Sequence, residues 1–553
     1  MPSRTRCDRS DERIGGSNGG IQMQSERLYL KPDAGVEPLF ANWYVWPHLI
    51  PPGTAARNVT ERHLKIMDSY INAPMVHANA VKNPKMLGGP FIDYEGRRVD
   101  EIKALRKQTI ERQGQLIQLS AAIAELEEML RASAKGFSLE PLYACVPDML
   151  RGLVELGYDL NNHPSFRFIE PLMYRSRFYD KSAQSLMLSL TKGDDRPFVL
   201  STPRLDSDES VHLRVPYDDP LVDQLFRTKT EPREWSEIRD LFEASPVAEH
   251  LLRELFTEQP PPPYQSYAGP GVRWRYFGHA CILVESGGTS ILLDPVLSYT
   301  YESTIHRYTY QDLPDAIDYV LITHNHQDHI LFETLLQLRH KIRHVVVPKN
   351  GGGALHDPSV KLMLEAIGFS SVIELGDMEQ IKIPGGSITG VPFFGEHSDL
   401  TVRTKLMYLV KMGRHTLMFA ADSCNIEPRL YERVHEVTGN VDALFLGMEC
   451  IGAPLTWLYG PLLTQKVPRD MDHSRRLAGS NYEQGIDMVN RFGCKHVYVY
   501  AMGQEPWLNH VMSIKWSAQS KPIVESNKLL EDCQRRAIVA ERLFGEKEIL
   551  LAD

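Results

Sequence analysis

Three histidines and one aspartate fall within the six residues His324-Asn325-His326-Gln327-Asp328-His329. The run directly follows an apolar, β-branched segment at 317–322, which predicts a strand that ends at the cluster. Neutral imidazole nitrogens are the commonest protein ligands for first-row transition metals, and carboxylate oxygens bind them as well. The spacing therefore predicts a metal-binding loop, and a histidine-rich surface loop is the alternative interpretation.

Further ligand candidates follow later in the chain. The segment 387–399 contains Glu396 and His397, and a hairpin predicted between 404 and 421 ends at Asp422. Neighbouring side chains on an extended strand point to opposite faces, so Glu396 and His397 are not expected to bind the same metal.

The H-x-H-x-D-H run resembles the metal-binding signature of the metallo-β-lactamase superfamily. Residues 272–284 and 290–295 resemble its opening strands. The resemblance implies an α+β chain whose C-terminal part is an αββα sandwich with two metals at one edge of the sheets. It also implies that Asp294 orients a ligand without binding metal. The implied ligands are His324, His326 and Glu396 for one metal, Asp328 and His329 for the other, and Asp422 between them.

The sequence departs from the hydrolases of this superfamily at two places. Glu396 stands where they usually carry histidine, and the predicted strand at 495–500 is followed by no histidine that could serve as the last ligand. His473, His496 and His510 are the remaining candidates, although a single histidine is more often a surface or hydrogen-bonded residue. Oxygen-rich ligation favours iron or manganese over zinc, and a missing ligand leaves room for oxygen or substrate.

One group within the superfamily resembles this chain over nearly its whole length: the diiron β-hydroxylases of nonribosomal peptide biosynthesis, of the chloramphenicol-pathway type. The resemblance implies two iron ions, O2 and an external electron donor. It implies β-hydroxylation of an aminoacyl thioester, such as p-aminophenylalanyl, held on the carrier domain of a nonribosomal peptide synthetase. Glu396, Asp422 and Glu449 are the implied catalytic residues. A strand-end residue in an ordinary salt bridge is the alternative for Glu449.

A binuclear zinc hydrolase, such as a phosphodiesterase or lactonase, is the alternative function. A metal-held hydroxide would attack the substrate in that case. Glu396 discriminates between the two functions, because such a hydrolase more often carries histidine there. A scaffold that has lost its metals is not expected, since six candidate ligands are intact.

Four segments are expected from the distribution of proline, glycine and apolar residues. They are a disordered tail at 1–22, a separate mixed α/β domain at 23–256, a Pro-rich linker at 257–270, and a last domain at 271–553. The resemblance implies that the last domain is metallo-β-lactamase-like and that the domain at 23–256 docks the carrier, while its long helix suggests dimerisation. The four prolines at 260–263 give the clearest boundary.

The elements of the flanking regions are predicted from periodicity. A long amphipathic helix is expected over 100–131, packed on its own domain or shared across a homodimer. Short strands are expected at 185–190, 197–201 and 211–215, and a terminal amphipathic helix over 527–548.

Composition excludes several classes of protein. The 553 residues carry a formal net charge of -10 without a basic run, which argues against nucleic-acid binding. Apolar stretches of the roughly 20 residues that cross a bilayer are missing, so no membrane association is expected. Seven cysteines without a C-x-x-C pair predict reduced thiols in a cytoplasmic protein.

Overall fold

The computed structural model describes residues 26–242 and 248–552. The expected tail at 1–22 lies outside this range. In the N-terminal part, a four-stranded antiparallel sheet has the order β3-β2-β6-β7, and smaller sheets have the orders β8-β1-β9 and β4-β5. The strands are β1 Arg27–Leu30, β2 Ala34–Phe40, β3 Trp43–Tyr44, β4 Val154–Tyr158, β5 Pro164–Phe168, β6 Gln184–Leu190, β7 Ser210–Leu213, β8 Arg233–Glu234 and β9 Phe256–Thr257.

Helices cover these sheets, and a π-helical turn at Val59–His63 joins the first two of these helices. The helices are α1 Pro52–Asn58, α2 Leu64–Asn72, α3 Pro74–Val81, α4 Val99–Arg112, α5 Gly114–Ser133, α6 Glu170–Met173, α7 Pro220–Arg227, α8 Trp235–Leu241 and α9 Glu249–Glu254. The strand predicted at 197–201 is wrong. That segment turns, because the Thr202 amide donates to the carbonyl of Phe198 (3.1 Å).

The single helix predicted over 100–131 is also wrong, since the chain breaks at Gln113 into α4 and α5. Gln113 leaves the helical region (φ -101°, ψ 22°), and Gly114, a weak helix former, begins the second helix. Their apolar faces are buried against α2 and α1 of the same chain. The prediction that this helix forms a seam between two subunits loses its basis, and a homodimer stays a prediction.

The C-terminal part contains two seven-stranded sheets. Their strand orders are β15-β14-β13-β12-β11-β10-β25 and β16-β17-β18-β19-β20-β23-β24. The strands are β10 Val272–Gly278, β11 Cys281–Ser286, β12 Thr289–Leu293, β13 Ile317–Leu321, β14 Ile342–Pro348, β15 Val372–Leu375, β16 Gln380–Ile383, β17 Gly386–Val391, β18 Met407–Met412, β19 His415–Phe419, β20 Ala443–Gly447, β21 Ala453–Pro454, β22 Arg476–Leu477, β23 His496–Tyr500, β24 Val539–Arg542 and β25 Lys547–Leu551.

The helices of this part lie on the outer faces of the sheets and in the connections. They are α10 Phe332–Leu338, α11 Val360–Ala366, α12 Pro428–Thr438, α13 Leu455–Tyr459, α14 Arg469–Ser474, α15 Tyr482–Phe492, α16 Asn509–Met512 and α17 Lys521–Arg535. One apolar cluster fills the space between the sheets, with Trp274 packed edge-on against Phe445 and Tyr498. A second cluster lies under α12, α15 and α17. The expected αββα sandwich is therefore present.

The helix predicted over 527–548 covers only part of that segment. Helix α17 ends at Arg535, and Ala537 takes a positive φ of 59° that reverses the chain. The two strands that follow form one edge of each seven-stranded sheet. Strand β24 pairs with β23, and β25 pairs with β10. Long-range pairing thus overrides the helical periodicity of this segment.

The N-terminal part shares its core with the C-terminal part. A single apolar cluster includes Leu39 and Phe226 from the first part and Phe277 and Leu335 from the second. No helix or strand spans residues 258–271, which include the four prolines. The two blocks that flank this segment are therefore packed together on the outer face of the sheet that contains β10 to β15.

A buried ionic network joins the two parts beside the metal loop. The guanidinium of Arg196 donates to both carboxylate oxygens of Glu333 on α10 (3.0 and 2.8 Å). Tyr44 also donates to Glu333 (2.7 Å), and Arg204 donates to the neighbouring Glu37 (2.6 Å). Because α10 begins three residues after His329, these contacts hold the helix that follows the loop.

The helices and cysteines of the described residues relate to two predictions, on membrane spans and on disulfides. None of their helices is long and apolar enough to cross a membrane. The six cysteines within them form no disulfide.

Candidate metal centre

The loop 324–329 lies buried between the end of β13 and the start of α10. Asp294, which follows β12, accepts hydrogen bonds from the backbone N–H and the hydroxyl of Thr323 (2.7 and 2.6 Å). The same carboxylate lies 2.8 Å from Nδ1 of His329. This contact turns the Nε2 atom of His329 toward the other candidate ligands.

The first group of candidate ligands consists of His324, His326 and Glu396. Nδ1 of His326 lies 2.6 Å from Oε1 of Glu396, and Nε2 of His324 lies 3.5 Å from Oε2. Glu396 reaches this position from the loop after β17, where its backbone takes a φ of 65°. One ligand atom from each residue lies within 4.8 Å of the others.

The second group contains a residue that the sequence reasoning missed. His279 lies between β10 and β11 and joins Asp328 and His329 in a cluster of the same size. Its Nε2 atom is 3.2 Å from Oδ2 of Asp328 and 3.4 Å from Nε2 of His329. The sequence signal that could have found it is a Gly-His pair at the end of a predicted strand. In the structure this histidine has a φ of 51°.

His279 lies beside the end of β23, the strand after which the last metal ligand was expected. The Ala501 amide, at the end of β23, donates to the His279 carbonyl (2.9 Å). His279 therefore approaches from a different strand the place where a later histidine was expected. His473 is exposed on α14, His496 is half-buried on β23, and His510 lies 3.9 Å from Glu333. None of these three belongs to a metal-binding cluster among the described residues.

Asp422, directly after β19, lies between the two groups. Its Oδ2 atom is 3.2 Å from Nε2 of His329, and the residue clusters with His324 and His329. The structure therefore brings together all six candidate metal ligands named from the sequence.

The donor atoms of this site are suited to a pair of metal ions. Nε2 of His324 and Oδ1 of Asp422 are buried without a hydrogen-bond partner, and Oε2 of Glu396 makes no hydrogen bond although imidazole nitrogens lie near it. Unsatisfied buried polar atoms are costly, so their convergence at one place favours a bound metal. Three imidazoles in the loop, His279 and three carboxylates provide a mixed nitrogen and oxygen set of the kind that iron accepts.

The side chain of His397 lies on the same side of the chain as Glu396, so the geometric reason for separating the two was wrong, while the expectation that they do not bind the same metal stays a prediction; no metal cluster of the described residues contains both. Its Nδ1 atom lies 3.1 Å from Oε2 of Glu396, and its ring packs 4.5 Å from that of His326. The reason is that both Glu396 and Ser398 have positive φ values, so the chain is not extended here. The alternation of side chains along a strand does not apply to this turn.

Burial and neighbouring charges shift the pKa values of the titrating groups, in opposite directions at Glu396 and His329. Burial raises the pKa of Glu396 to about 7, although the nearby His326 opposes this. Burial by itself would lower the pKa of His329, but Asp294, Asp422 and Asp328 raise it well above its usual value. Burial lowers the pKa of His324.

A cavity of about 300 Å³ adjoins the site. Glu396, Asp422 and Glu449 contribute its polar wall, and mainly apolar residues form the remainder, among them Ile451 and Trp516. Glu449 accepts a hydrogen bond from the Gly452 amide (2.6 Å). Burial raises the pKa of Glu449 to about 8. The salt-bridge interpretation of this residue is not favoured, because its described contacts include no ion pair.

Comparison with known proteins identifies the class to which this fold and site belong. Residues 29–260 match the family "Diiron non-heme beta-hydroxylase N-terminal domain", and residues 289–453 match the "Beta-lactamase superfamily domain". With a relative that matches almost the whole chain, these matches show that the protein belongs to the diiron β-hydroxylase family. It is therefore an enzyme, and the zinc-hydrolase alternative is not favoured.

That relative is the 4-amino-L-phenylalanyl-[CmlP-peptidyl-carrier-protein] 3-hydroxylase of Streptomyces venezuelae. It is 40% identical over 534 residues, which cover 95% of this chain and 100% of the relative. The crystal structure of CmlA, a diiron β-hydroxylase from Streptomyces venezuelae, superposes with a TM-score of 0.90 over 95% of this chain and 100% of that one, at 40% identity. A shorter similarity, 31% over 135 residues, links 24% of the chain to 53% of the UPF0173 protein PYRAB01190 of Pyrococcus abyssi.

Proposed function

We propose that this enzyme hydroxylates the β-carbon of an aminoacyl group held as a thioester on the carrier domain of a nonribosomal peptide synthetase. The observation that carries the proposal is the full-length similarity to a hydroxylase whose name specifies an aminoacyl carrier-protein substrate. The presence of Glu396 in the buried ligand set supports it, because a zinc hydrolase of this fold more often carries histidine there.

The proposed ligand set distributes the buried donors between two iron ions. His324, His326 and Glu396 would hold one, Asp328, His329 and His279 would hold the other, and Asp422 would lie between them. The chemistry that the iron pair supplies when bound is the activation of O2 with electrons from an external donor. Both O2 and the donor are part of the proposal.

The remaining residues of the site orient ligands and exclude water. Asp294 holds Nδ1 of His329, so that Nε2 is the atom presented to the metal side. The hydroxyl of Tyr459 lies 3.4 Å from Nε2 of His326 and restrains that ring from the opposite side. Glu449, whose pKa is raised, is a candidate to hold a proton close to the reacting group.

The shape and lining of the cavity support an aromatic aminoacyl group. Trp457 and Trp516 line it together with Leu477, and aromatic rings pack well against such walls. A p-aminophenylalanyl thioester is the proposed substrate, by analogy with the Streptomyces venezuelae relative.

The proposal places the enzyme in the cytoplasm with a carrier protein and an electron-donor protein as partners, in the biosynthesis of a peptide antibiotic. Six described cysteines without a disulfide are consistent with a reducing compartment. A homodimer is retained as a proposal, to be tested by light scattering.

The test begins with metal content and the visible spectrum of protein purified without added metal. The expected result is two irons per chain and a ferric absorption band that bleaches with dithionite and returns with O2. Reduced enzyme is then mixed with p-aminophenylalanyl-loaded carrier protein and isotopically labelled O2. Mass spectrometry should show one labelled oxygen on the aminoacyl group. Two zincs and no oxygen transfer would reject the proposal.

A further inference from the structure

A second cavity, of about 550 Å³, lies beside the metal-site cavity at the boundary between the two parts of the chain. One wall comes from the π-helical turn and α2, and the opposite wall comes from residues 454–461 around α13. Gly88, Pro454 and Trp457 line both cavities. The two spaces therefore adjoin along a common wall.

The common wall is built by a close approach of two segments. The Trp457 indole N–H donates to the Gly88 carbonyl (2.9 Å). Gly88 has a φ of 71°, and a Cβ atom there would lie 3.2 Å from the indole nitrogen. The positive φ and the tight space both favour glycine at this position. Phe91 and Phe198 continue the wall and make it largely apolar.

Arg62 supplies a cation with an unused donor. Its Nη2 atom donates to the carbonyls of Trp457 (2.6 Å) and Leu458 (3.3 Å), and its guanidinium lies 5.4 Å from the Trp46 ring centroid. Its Nη1 atom is buried without a hydrogen-bond partner. Arg62 lies in the π-helical turn, an irregularity that is frequent at functional sites.

The rim of the cavity carries a second cation. Lys65 is 66% exposed, one turn beyond Arg62, and pairs with Glu61. The cavity thus combines an exposed ammonium group at the rim, a guanidinium in its wall, and a largely apolar wall that it shares with the metal-site cavity.

We propose that this cavity holds the phosphopantetheine arm of the loaded carrier protein. The positive charge of Arg62, which lines the cavity, would attract the polar groups of the arm, and Lys65 would meet its phosphate. The thioester end would reach the metal-site cavity between Gly88 and Trp457 once their hydrogen bond (2.9 Å) opens. This inference rests on the proposed function and assigns residues to the delivery of its substrate.

The first experiment measures the steady-state kinetics of Arg62→Met with p-aminophenylalanyl-loaded CmlP carrier domain. Loss of the guanidinium charge beside the arm should raise KM about tenfold or more, with iron content and the visible spectrum unchanged. Arg57→Met is the matched control. Arg57 also donates to backbone carbonyls, those of Pro461 and Leu463 (both 3.1 Å), but it does not line the cavity. Equal KM values for the two variants would overturn the assignment.

The second experiment does not depend on turnover. Ser69 lines the cavity, so Ser69→Cys should be alkylated by bromoacetyl-phosphopantetheine faster than Ser165→Cys, an equally exposed position in a different cavity. Equal labelling of the two variants above the wild-type background would reject the arm cavity. Selective labelling without hydroxylation of any loaded carrier would keep the cavity and reject the hydroxylase, so the two failures are distinguishable.

Discussion

The carboxylate of Asp294 lies 2.8 Å from Nδ1 of His329, while Nε2 of the same ring lies 3.2 Å from the carboxylate of Asp422. One histidine is thus held between a carboxylate outside the ligand set and a carboxylate inside it. Because Asp294 also binds the backbone of Thr323, it fixes both the loop and the ring. Such supporting carboxylates commonly determine how strongly a ligand holds its metal.

Asp294→Asn should weaken iron binding about 10–100-fold, because the neutral amide supports the His329 ring less well. The measurement is the iron retained after dialysis against increasing chelator concentrations. Asp318→Asn is the control. Like the fully buried Asp294, the partly buried Asp318 accepts a backbone hydrogen bond, from Ser290 (2.9 Å), but it belongs to none of the candidate metal clusters. Equal iron retention in both variants would contradict the supporting role.

His279→Phe should remove one of the two irons, since the ring is retained while both nitrogens are lost. Metal analysis and the intensity of the ferric absorption band measure this outcome. His344→Phe is the control, because His344 is a partly buried histidine on β14 that contacts Ser371 (2.7 Å). Two irons per chain in His279→Phe would show that this histidine is not a ligand.

Glu396→His should lower iron retention and abolish oxygen transfer to the aminoacyl group, because it replaces a charged oxygen donor with a neutral nitrogen. Iron analysis and mass spectrometry of the loaded carrier measure the two effects. Unchanged hydroxylation in this variant would count against the role assigned to Glu396.

Glu170 should make stability depend on pH. Burial raises its pKa from 4.5 to about 7, although it accepts hydrogen bonds from the Ser359 amide and the Asn350 side chain (3.0 and 2.9 Å). A raised folded-state pKa means that this group's contribution is fully present below about pH 4.5. The contribution is lost as the pH rises through about 7, at a cost on the order of 3 kcal/mol.

Glu170→Gln should remove that loss, because glutamine stays neutral. Urea unfolding at pH 5 and pH 8 measures the free energy of unfolding of both proteins. The variant should lose less stability between these values than the wild type does. The exposed Glu365→Gln is the control and should leave the pH dependence unchanged. An identical pH dependence in Glu170→Gln would contradict the prediction.

Local sequence patterns predicted the parts of the site that are contiguous in the chain. The run His324–His329 sits at a strand end, where a single loop must present its side chains together, and the structure has β13 and α10 on either side. Asp422 comes after β19, the second strand of the hairpin that was predicted between 404 and 421. Periodicity was less reliable where distant strands pair, as in β24 and β25 at the chain end.

The amino-acid sequence, through local patterns and the resemblance that its H-x-H-x-D-H run carries, determined the fold class and named the six candidate ligands that the structure brings together. Only the tertiary structure revealed His279, because its place beside Asp328 depends on the pairing of β10 and on its contact with Ala501, 222 positions later in the numbering. The position of Arg62 against α13 likewise depends on packing between the two parts of the chain. Short-range preferences act on neighbouring residues, whereas these sites are assembled by burial and hydrogen bonding between segments that lie far apart in the sequence.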